Sequence, residues 1–135
     1  MFGAPKSPLS AYSQIGIQTD VQTANPHQLI VLLFDGALSA LNVAKSAMEQ
    51  KTIETKGTSI SKAIDIIRNG LQVSVSSGDG GDLAEKLIAL YEYMTRRLLH
   101  ANLHNDTGAL EEVSSLLGEL RGAWVEIAAH PSANE

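Results

Sequence analysis

Residues 82–106 have the sequence DLAEKLIALYEYMTRRLLHANLHND, which shows the helical pattern of this chain most clearly. Asp82 and Glu85 resemble a capping box, in which polar side chains satisfy the free N–H groups at a helix start. Apolar residues then recur at steps of three and four, which places them on one face of a helix. They are Leu87, Leu90, Tyr91, Met94, Leu98 and Ala101. This face carries no catalytic constellation, so the segment is predicted to serve packing and binding.

Three further segments show the same helical periodicity. The first begins at Asn25, a good N-cap residue, with Pro26 in the first helical position and Gln28 as a capping-box partner. The pattern is interrupted around Gly57, and residues 76–81 are typical of a turn. The predicted helices run from Asn25 to about Lys51, from Thr58 or Ser59 to the turn at 76–81, and from an N-cap within residues 105–108 to a point before Pro131.

Short polar or glycine-rich links between long helices imply that consecutive helices are antiparallel. The sequence therefore predicts an all-α fold, an antiparallel up-down four-helix bundle over residues 25–130. Residues 131–135 are predicted to form a disordered tail, and residues 1–24 a flexible arm with a short, labile helix. The weak apolar pattern of this arm consists of Leu9, Tyr12, Ile15 and Ile17.

The composition of the 135-residue chain argues against several classes of protein. A formal charge of −5 disfavours nucleic-acid binding, because phosphates require a basic surface. The absence of cysteine suits a reducing cytoplasm. The longest strongly apolar run, Leu29–Phe34, is far shorter than the ~20 residues that span a bilayer, and the first residues do not resemble a signal peptide. We therefore expect a cytoplasmic protein without membrane insertion.

No set of residues in the sequence indicates catalysis. His100 and His104 are four residues apart, a spacing that suits two ligands of one metal, but no third ligand stands at a predictable position. The other interpretation is that they are polar residues near a helix end, where the helix dipole favours a cation. Glu111 and Glu112 are interpreted as a solvated pair. The sequence predicts no enzyme, no metal and no cofactor.

Additional apolar residues lie beside the core stripes of the second and third helices. They indicate either a wide core face or a groove that accepts an amphipathic partner segment. Tyr93 lies off the core stripe and is interpreted as a surface residue or a partner contact. The predicted partner-binding residues are Ile66, Val73, Ile88, Tyr93, Leu99 and Leu103, together with Leu9, Tyr12, Ile15 and Ile17 of the arm.

Several motifs occur together over about residues 10–128: Tyr12, TANPHQLI at 23–30, LFDGA at 33–37, Lys62-Ala63 with Ile66-Ile67, LYEYM at 90–94 with Arg97-Leu98 and Ala101-Asn102, and ELR at 119–121 with Ala123-Trp124. Their order and spacing resemble the flagellin export chaperones of the FliS family. Two differences stand out: Phe34 occupies a position where tyrosine is common in that family, and residues 73–81 are poor in the expected Leu-Asp residues.

The resemblance implies a small cytoplasmic chaperone of flagellar type III export. Such proteins bind the disordered C-terminal segment of flagellin, prevent its premature polymerisation and help to deliver it to the export gate. The resemblance also implies that the partner segment wraps around the bundle and that the N-terminal arm occupies part of the same groove when the partner is absent. The marginal amphipathic pattern of the arm is compatible with such displacement.

Two other interpretations remain open from the residues alone. The additional apolar stripes would serve equally well in a structural or regulatory module that acts through a homodimer or through another helical partner. A metal-dependent helical bundle that uses His100 and His104 is the third interpretation.

Overall fold

The computed structural model describes residues 25–129, and within that range every regular element is a helix. The prediction of an all-α fold is confirmed. Helix α1 covers Pro26–Gln50, α3 covers Asp82–His104 and α4 covers Thr107–Ala129. Helix α2 runs without interruption over 53–76, as an α-helical part Ile53–Ile66, a π-helical part Ile67–Gln72 and a last α-helical turn Val73–Ser76.

The four helices form an up-down bundle, as predicted. The links at 51–52, 77–81 and 105–106 are too short to let the chain cross the bundle, so consecutive helices are antiparallel. Helix α1 packs against α2 and α4, and α3 packs against the same two helices. One end of the bundle therefore holds the starts of α1 and α3 beside the last turns of α2 and α4.

The capping box predicted for α1 is confirmed. The Asn25 side chain accepts a hydrogen bond from the Gln28 N–H at 2.9 Å, and Gln28 Oε1 accepts one from the Asn25 N–H at 3.0 Å. The helix ends at Lys51, which adopts the left-handed conformation with φ 60°. Its N–H donates to the carbonyl oxygens of Ala47 and Met48, which closes the last turn.

The predicted start of α2 at Thr58 or Ser59 is wrong, because the helix already begins at Ile53 and continues through Gly57. Lys56 explains this early start. Its side chain is only 7% exposed, and its Nζ donates to the carbonyl oxygen of Asn102 at 3.0 Å and to Asn105 Oδ1 at 2.7 Å. These contacts hold the first turns of α2 against the end of α3. Tertiary packing thus outweighs the ~1 kcal/mol that a glycine costs within a helix.

The predicted capping box at Asp82 and Glu85 is also wrong. The N-cap of α3 is Gly81, with φ 103° and no side-chain hydrogen bond, and Asp82 is already inside the helix. Gly80 and Gly81 both have positive φ, a conformation that strains other residues. The turn into α3 therefore depends on the backbone conformation of two glycines and not on a side-chain cap. The two carboxylates still favour the helix, because they lie in its positively polarised first turn.

The predicted N-cap of α4 is confirmed, because Asp106 Oδ1 accepts a hydrogen bond from the Ala109 N–H at 3.2 Å. The core predictions for α3 are confirmed for Tyr91, Met94, Leu98 and Ala101, which are buried, whereas Leu87 and Leu90 are half-buried against the core. All four helices contribute to a single core. Its larger side chains are Leu33, Phe34, Leu41, Ile60, Ile66, Ile67, Leu71, Tyr91, Met94, Leu98, Leu110, Val113 and Leu117.

Helix α1 is long and apolar enough to cross a membrane, judged by length and composition alone. A helix at the centre of a bundle passes the same test. Leu33, Ala37 and Ala44 of α1 are completely buried and contact the core side chains of the other helices. In the most apolar stretch of α1, 33% is buried, so part of its apolar character is used for packing inside the bundle.

Candidate functional site

An apolar groove with a volume of about 610 Å³ opens at the end of the bundle where α1 and α3 begin. We call it the end groove. It is lined by Pro26, His27, Leu29, Ile30, Phe34, Ser74, Val75, Ser77, Leu83, Leu87, Tyr91, Leu120, Ala123, Trp124 and Ile127. Water in contact with so much apolar surface is unfavourable, and such surfaces mark binding sites for ligands or partner proteins.

All four helices supply walls of the end groove. The first turns of α3 contribute Leu83, whose side chain is 71% exposed, and the half-buried Leu87. The last turns of α4 contribute Trp124 and Ile127. The groove arises because the core stripes of the helices continue to this end of the bundle, where the described side chains leave the space between them unfilled.

His27 and Trp124 hold the start of α1 against the end of α4. Trp124 Nε1 donates a hydrogen bond to the His27 carbonyl oxygen at 3.0 Å, and the two ring centroids lie 4.8 Å apart. These two contacts place His27 at the groove wall. Its Nδ1 is shielded from solvent and has no hydrogen-bond partner in the described structure.

The floor of the end groove is strongly apolar. Phe34 is 3% exposed and supplies a plain phenyl ring where a tyrosine would add a hydroxyl group. Burial among apolar side chains raises the pKa of the Tyr91 phenol from 10.0 to about 12. The neighbouring Asp35 faces away from the core and accepts a hydrogen bond from Arg121 Nε at 2.6 Å, which ties α4 to α1.

A polar cluster joins α3 to α4 midway along the bundle. Glu112 accepts hydrogen bonds from the Tyr93 hydroxyl and, at 2.7 Å, from Arg97 Nε. The hydrogen bond from Tyr93, assisted by Arg97, lowers the pKa of the Glu112 carboxyl. The same bond to Glu112 raises the pKa of the Tyr93 hydroxyl. Tyr93 therefore has a contact inside the bundle, whether or not its ring also meets a partner.

The predicted partner-binding residues do not form one surface. Ile66 is fully buried in the core, so its assignment to a partner surface is corrected: the wide apolar face of α2 packs inward there. Leu99 and Leu103 are 55% and 77% exposed and lie toward the far end of α3, away from the end groove.

The remaining predicted contacts fall into two groups. Val73, Ile88 and Tyr93 are half-buried, and none of them lines the end groove. The four arm residues Leu9, Tyr12, Ile15 and Ile17 lie outside the described part of the chain. Their roles as partner contacts stay predictions.

The periodicity places Leu87, Tyr91 and Trp124 on core stripes, and the structure shows that they also line the end groove. An up-down order brings the starts of α1 and α3 beside the ends of α2 and α4. Apolar residues at those four helix ends are therefore the signal by which the groove is recognisable. Leu83, one turn before the stripe of α3, is the most informative of them.

The two histidines of the metal hypothesis lie near the far end of the bundle. Their rings are 4.6 Å apart, and His100 Nε2 lies 3.1 Å from Asp106 Oδ2. Within residues 25–129, no group of three or more side chains suited to a metal ion is found. In the structure, His100 thus contacts the carboxylate that caps α4.

The fold and the end groove define a helical-bundle binding protein. A family model described as flagellar protein FliS matches residues 8–131. The flagellar secretion chaperone FliS of Salmonella typhimurium is 47% identical over 129 residues, covering 96% of each chain. The protein of that name from Escherichia coli is 49% identical over 122 residues, covering 90% of each chain. FliSB of Pseudomonas aeruginosa is 48% identical over 116 residues, covering 86% of this chain and 91% of the relative.

The chain therefore belongs to the FliS family of flagellar secretion chaperones. The resemblance seen in the sequence motifs is confirmed. The family is one of chaperones and not a class of enzymes.

Proposed function

We propose that this protein is a cytoplasmic flagellar export chaperone that binds the disordered C-terminal segment of flagellin and has no catalytic activity. Binding prevents premature polymerisation of flagellin and aids its delivery to a component of the export gate. The observation that carries the proposal is the end groove, an apolar site built by all four helices of a secretion chaperone fold.

The physical basis of binding is burial of apolar side chains. A disordered segment loses conformational freedom when it is ordered on a surface, which costs about 2–5 kcal/mol. Each Leu, Ile or Phe side chain moved from water into the groove contributes about 1.5–3 kcal/mol. Two or three such anchors offset the cost of ordering, and the same side chains are then covered and unable to assemble with other flagellin molecules.

We assign residues 1–24 a role in the free protein. An uncovered apolar groove promotes unwanted association, and a marginal amphipathic segment of the same chain is suited to cover it until the partner arrives. Leu9, Tyr12, Ile15 and Ile17 are the proposed apolar contacts of this arm, and displacement by flagellin exchanges one apolar segment for another.

The test is isothermal titration of the full-length protein with the C-terminal segment of its cognate flagellin. Leu83→Glu places a charge in the groove wall at a position that is mostly exposed, so the fold should tolerate it. We expect binding to weaken by about tenfold or more, because a lost apolar anchor is worth about 1.5–3 kcal/mol. Ile53→Glu is the matched control, since Ile53 is 75% exposed at the opposite end of the bundle and should bind like the wild type.

The third variant, Leu103→Glu, tests the surface stripe of Leu99 and Leu103. Weaker binding by this variant would support a segment that extends from the groove along α3, and unchanged binding would restrict the contact to the groove. No binding of the wild-type protein at micromolar concentrations would refute the proposed function.

The alternative function is that of a structural or regulatory module acting through a homodimer or through another helical partner. Its supporting observation is the exposure of Leu99 and Leu103, two apolar side chains one turn apart on α3. Analytical ultracentrifugation over a hundredfold range of concentration distinguishes it. A mass that stays that of the monomer over this range would contradict self-association.

A further inference from the structure

We infer that the imidazole of His27 determines specificity in the end groove, because its Nδ1 accepts a hydrogen bond from a donor that the bound segment carries among its apolar anchors. This inference rests on the proposed function and goes beyond it, since it names a polar requirement of the partner. The groove would then select an apolar segment with one correctly placed N–H or O–H group.

The starting observation is an unpaired polar atom. In the described part of the chain, His27 Nδ1 is the buried side-chain nitrogen that lacks a hydrogen-bond partner. Native proteins pair nearly all such atoms, because an unmade hydrogen bond in a shielded place destabilises the folded state. An exception at the wall of a binding groove indicates a bond that forms in the complex.

The polar groups around His27 are engaged elsewhere. Asn25 and Gln28 exchange hydrogen bonds in the capping box of α1. The indole N–H of Trp124 donates to the main-chain oxygen of His27 and not to its ring. The nearest polar groups of the bundle therefore leave Nδ1 without a partner.

The serine hydroxyls of the groove donate to main-chain oxygens of α2. Ser74 Oγ donates to the Leu71 carbonyl oxygen at 2.7 Å, and Ser77 Oγ donates to the Ser74 carbonyl oxygen at 3.4 Å. Both serines thus present little unmet hydrogen-bonding capacity to an incoming segment. His27 is the polar side chain of the wall that has a bond still to make.

The ring can reach an incoming donor without leaving its place. His27 is partly exposed as a residue, and its Nδ1 is shielded in the conformation that the structure shows. Rotation about χ2 exchanges the Nδ1 edge with the carbon edge, and this torsion has broad, nearly two-fold minima. A half-turn leaves the ring beside Trp124, because the rotation axis passes close to the ring centroid, which lies 4.8 Å from the indole centroid.

The consequence is discrimination among apolar segments. A segment with only apolar side chains would leave Nδ1 without a hydrogen-bond partner in the complex. A segment with a donor at that point would supply the missing hydrogen bond. Discrimination of this kind is stronger than that from apolar contacts alone, because the wrong partner leaves a polar group unpaired.

The experiment compares four full-length proteins by isothermal titration with the C-terminal segment of the cognate flagellin. His27→Phe keeps the ring and removes the nitrogen, so it is matched to the wild type. His27→Asn and His27→Leu have similar sizes and differ in the polar group near the position of Nδ1. We expect the wild type to bind about tenfold more tightly than His27→Phe, as one hydrogen bond is worth about a factor of ten, and His27→Asn to bind more tightly than His27→Leu.

Thermal unfolding of the free proteins supplies the second measurement. His27→Phe should be at least as stable as the wild type without the segment, since it removes an unpaired polar atom. Reduced affinity at undiminished stability would support the inference. Equal or tighter binding by His27→Phe, with His27→Leu binding at least as well as His27→Asn, would overturn it and leave His27 a packing residue. No binding by the wild type would refute the proposed function, and this inference with it.

Discussion

Glu112 shows how one side chain of α4 fixes its position relative to α3. It accepts hydrogen bonds from Tyr93 and from Arg97, two residues four apart on the facing helix. The pKa of the Glu112 carboxyl is lowered by these bonds from its ordinary value of 4.5. The folded protein therefore holds this proton less tightly than the unfolded chain does, and the cluster contributes stability only while Glu112 is ionised.

We predict that stability falls with acid and that Glu112→Gln reduces this dependence. A lowered folded-state pKa gives stability that is fully present above pH 4.5 and is lost as the pH falls through the folded-state value. The variant should unfold at a lower temperature than the wild type at neutral pH, and the difference should shrink below pH 4.5. Circular dichroism melts at a series of pH values test this, with Glu119→Gln, an exposed position on the same helix, as the control. A difference that grows in acid would contradict it.

Individual residues were predictable where one face of a helix decides their environment. Tyr91, Met94 and Leu98 are buried as their spacing requires, because that stripe of α3 faces the core of the bundle. The spacing of apolar residues did not distinguish Ile66 from surface residues, because its burial depends on where α3 crosses α2. The spacing of apolar residues along one helix shows which way a side chain points, but it does not show which part of another helix packs against it.

Helix α2 shows, for a whole element, the same limit on what can be predicted from residue spacing. The spacing Ile67, Leu71, Val75 contains two consecutive steps of four residues, and in an α-helix each such step turns about 40° beyond a full turn. The π-helical part Ile67–Gln72 has wider turns, which brings Leu71 into the core and Val75 to the end groove. The repeated step of four is visible in the sequence, but the geometry that accommodates it depends on the packing of α3.

The ends of α1 and α3 differ in a way that allows a matched comparison. Both close with a left-handed residue, Lys51 with φ 60° and Asn105 with φ 53°. The Asn105 side chain accepts a hydrogen bond from the buried Lys56, whereas Lys51 lies exposed at the link to α2. The strain of the left-handed conformation is therefore compensated by a side-chain bond at Asn105.

We predict that Lys51→Gly stabilises the protein by about 0.5–1 kcal/mol. Glycine adopts the left-handed conformation without strain, and this gain exceeds the added freedom of the unfolded chain. Urea unfolding followed by circular dichroism measures the change. Asn105→Gly is the comparison variant, and it should not be stabilised because it loses the bond from Lys56. Lower stability of Lys51→Gly would contradict the interpretation of strain.

At the scale of the whole molecule, the four helices and their up-down order follow from the sequence, because polar links of a few residues leave no other path for the chain. The end groove can be predicted from the sequence only in part. Apolar residues at four helix ends show that a shared apolar region forms there, but a gap of about 610 Å³ depends on how far the helices separate at that end. This separation is set by packing along their full length.

We predict that the C-terminal segment of flagellin stabilises the bundle when it binds. All four helices line the end groove, so a bound segment adds contacts that link their ends in the folded state only. At a free concentration one hundred times the dissociation constant, the free energy of unfolding should rise by about 2.7 kcal/mol. Thermal melts with and without the segment test this. The Leu83→Glu variant should show a smaller rise, and an unchanged melting temperature of the wild type would contradict binding to the folded state.

An even number of antiparallel helices also determines where the described chain enters and leaves the bundle. Residues 25 and 129 both lie at the end that carries the groove, whereas the links at 51–52 and 105–106 lie at the opposite end. A reporter domain joined at residue 25 or at residue 129 would therefore sit beside the groove and compete with a ligand for space. Because the chain contains no cysteine, a single one introduced near residue 52 offers a unique handle for surface attachment that leaves the groove facing solution.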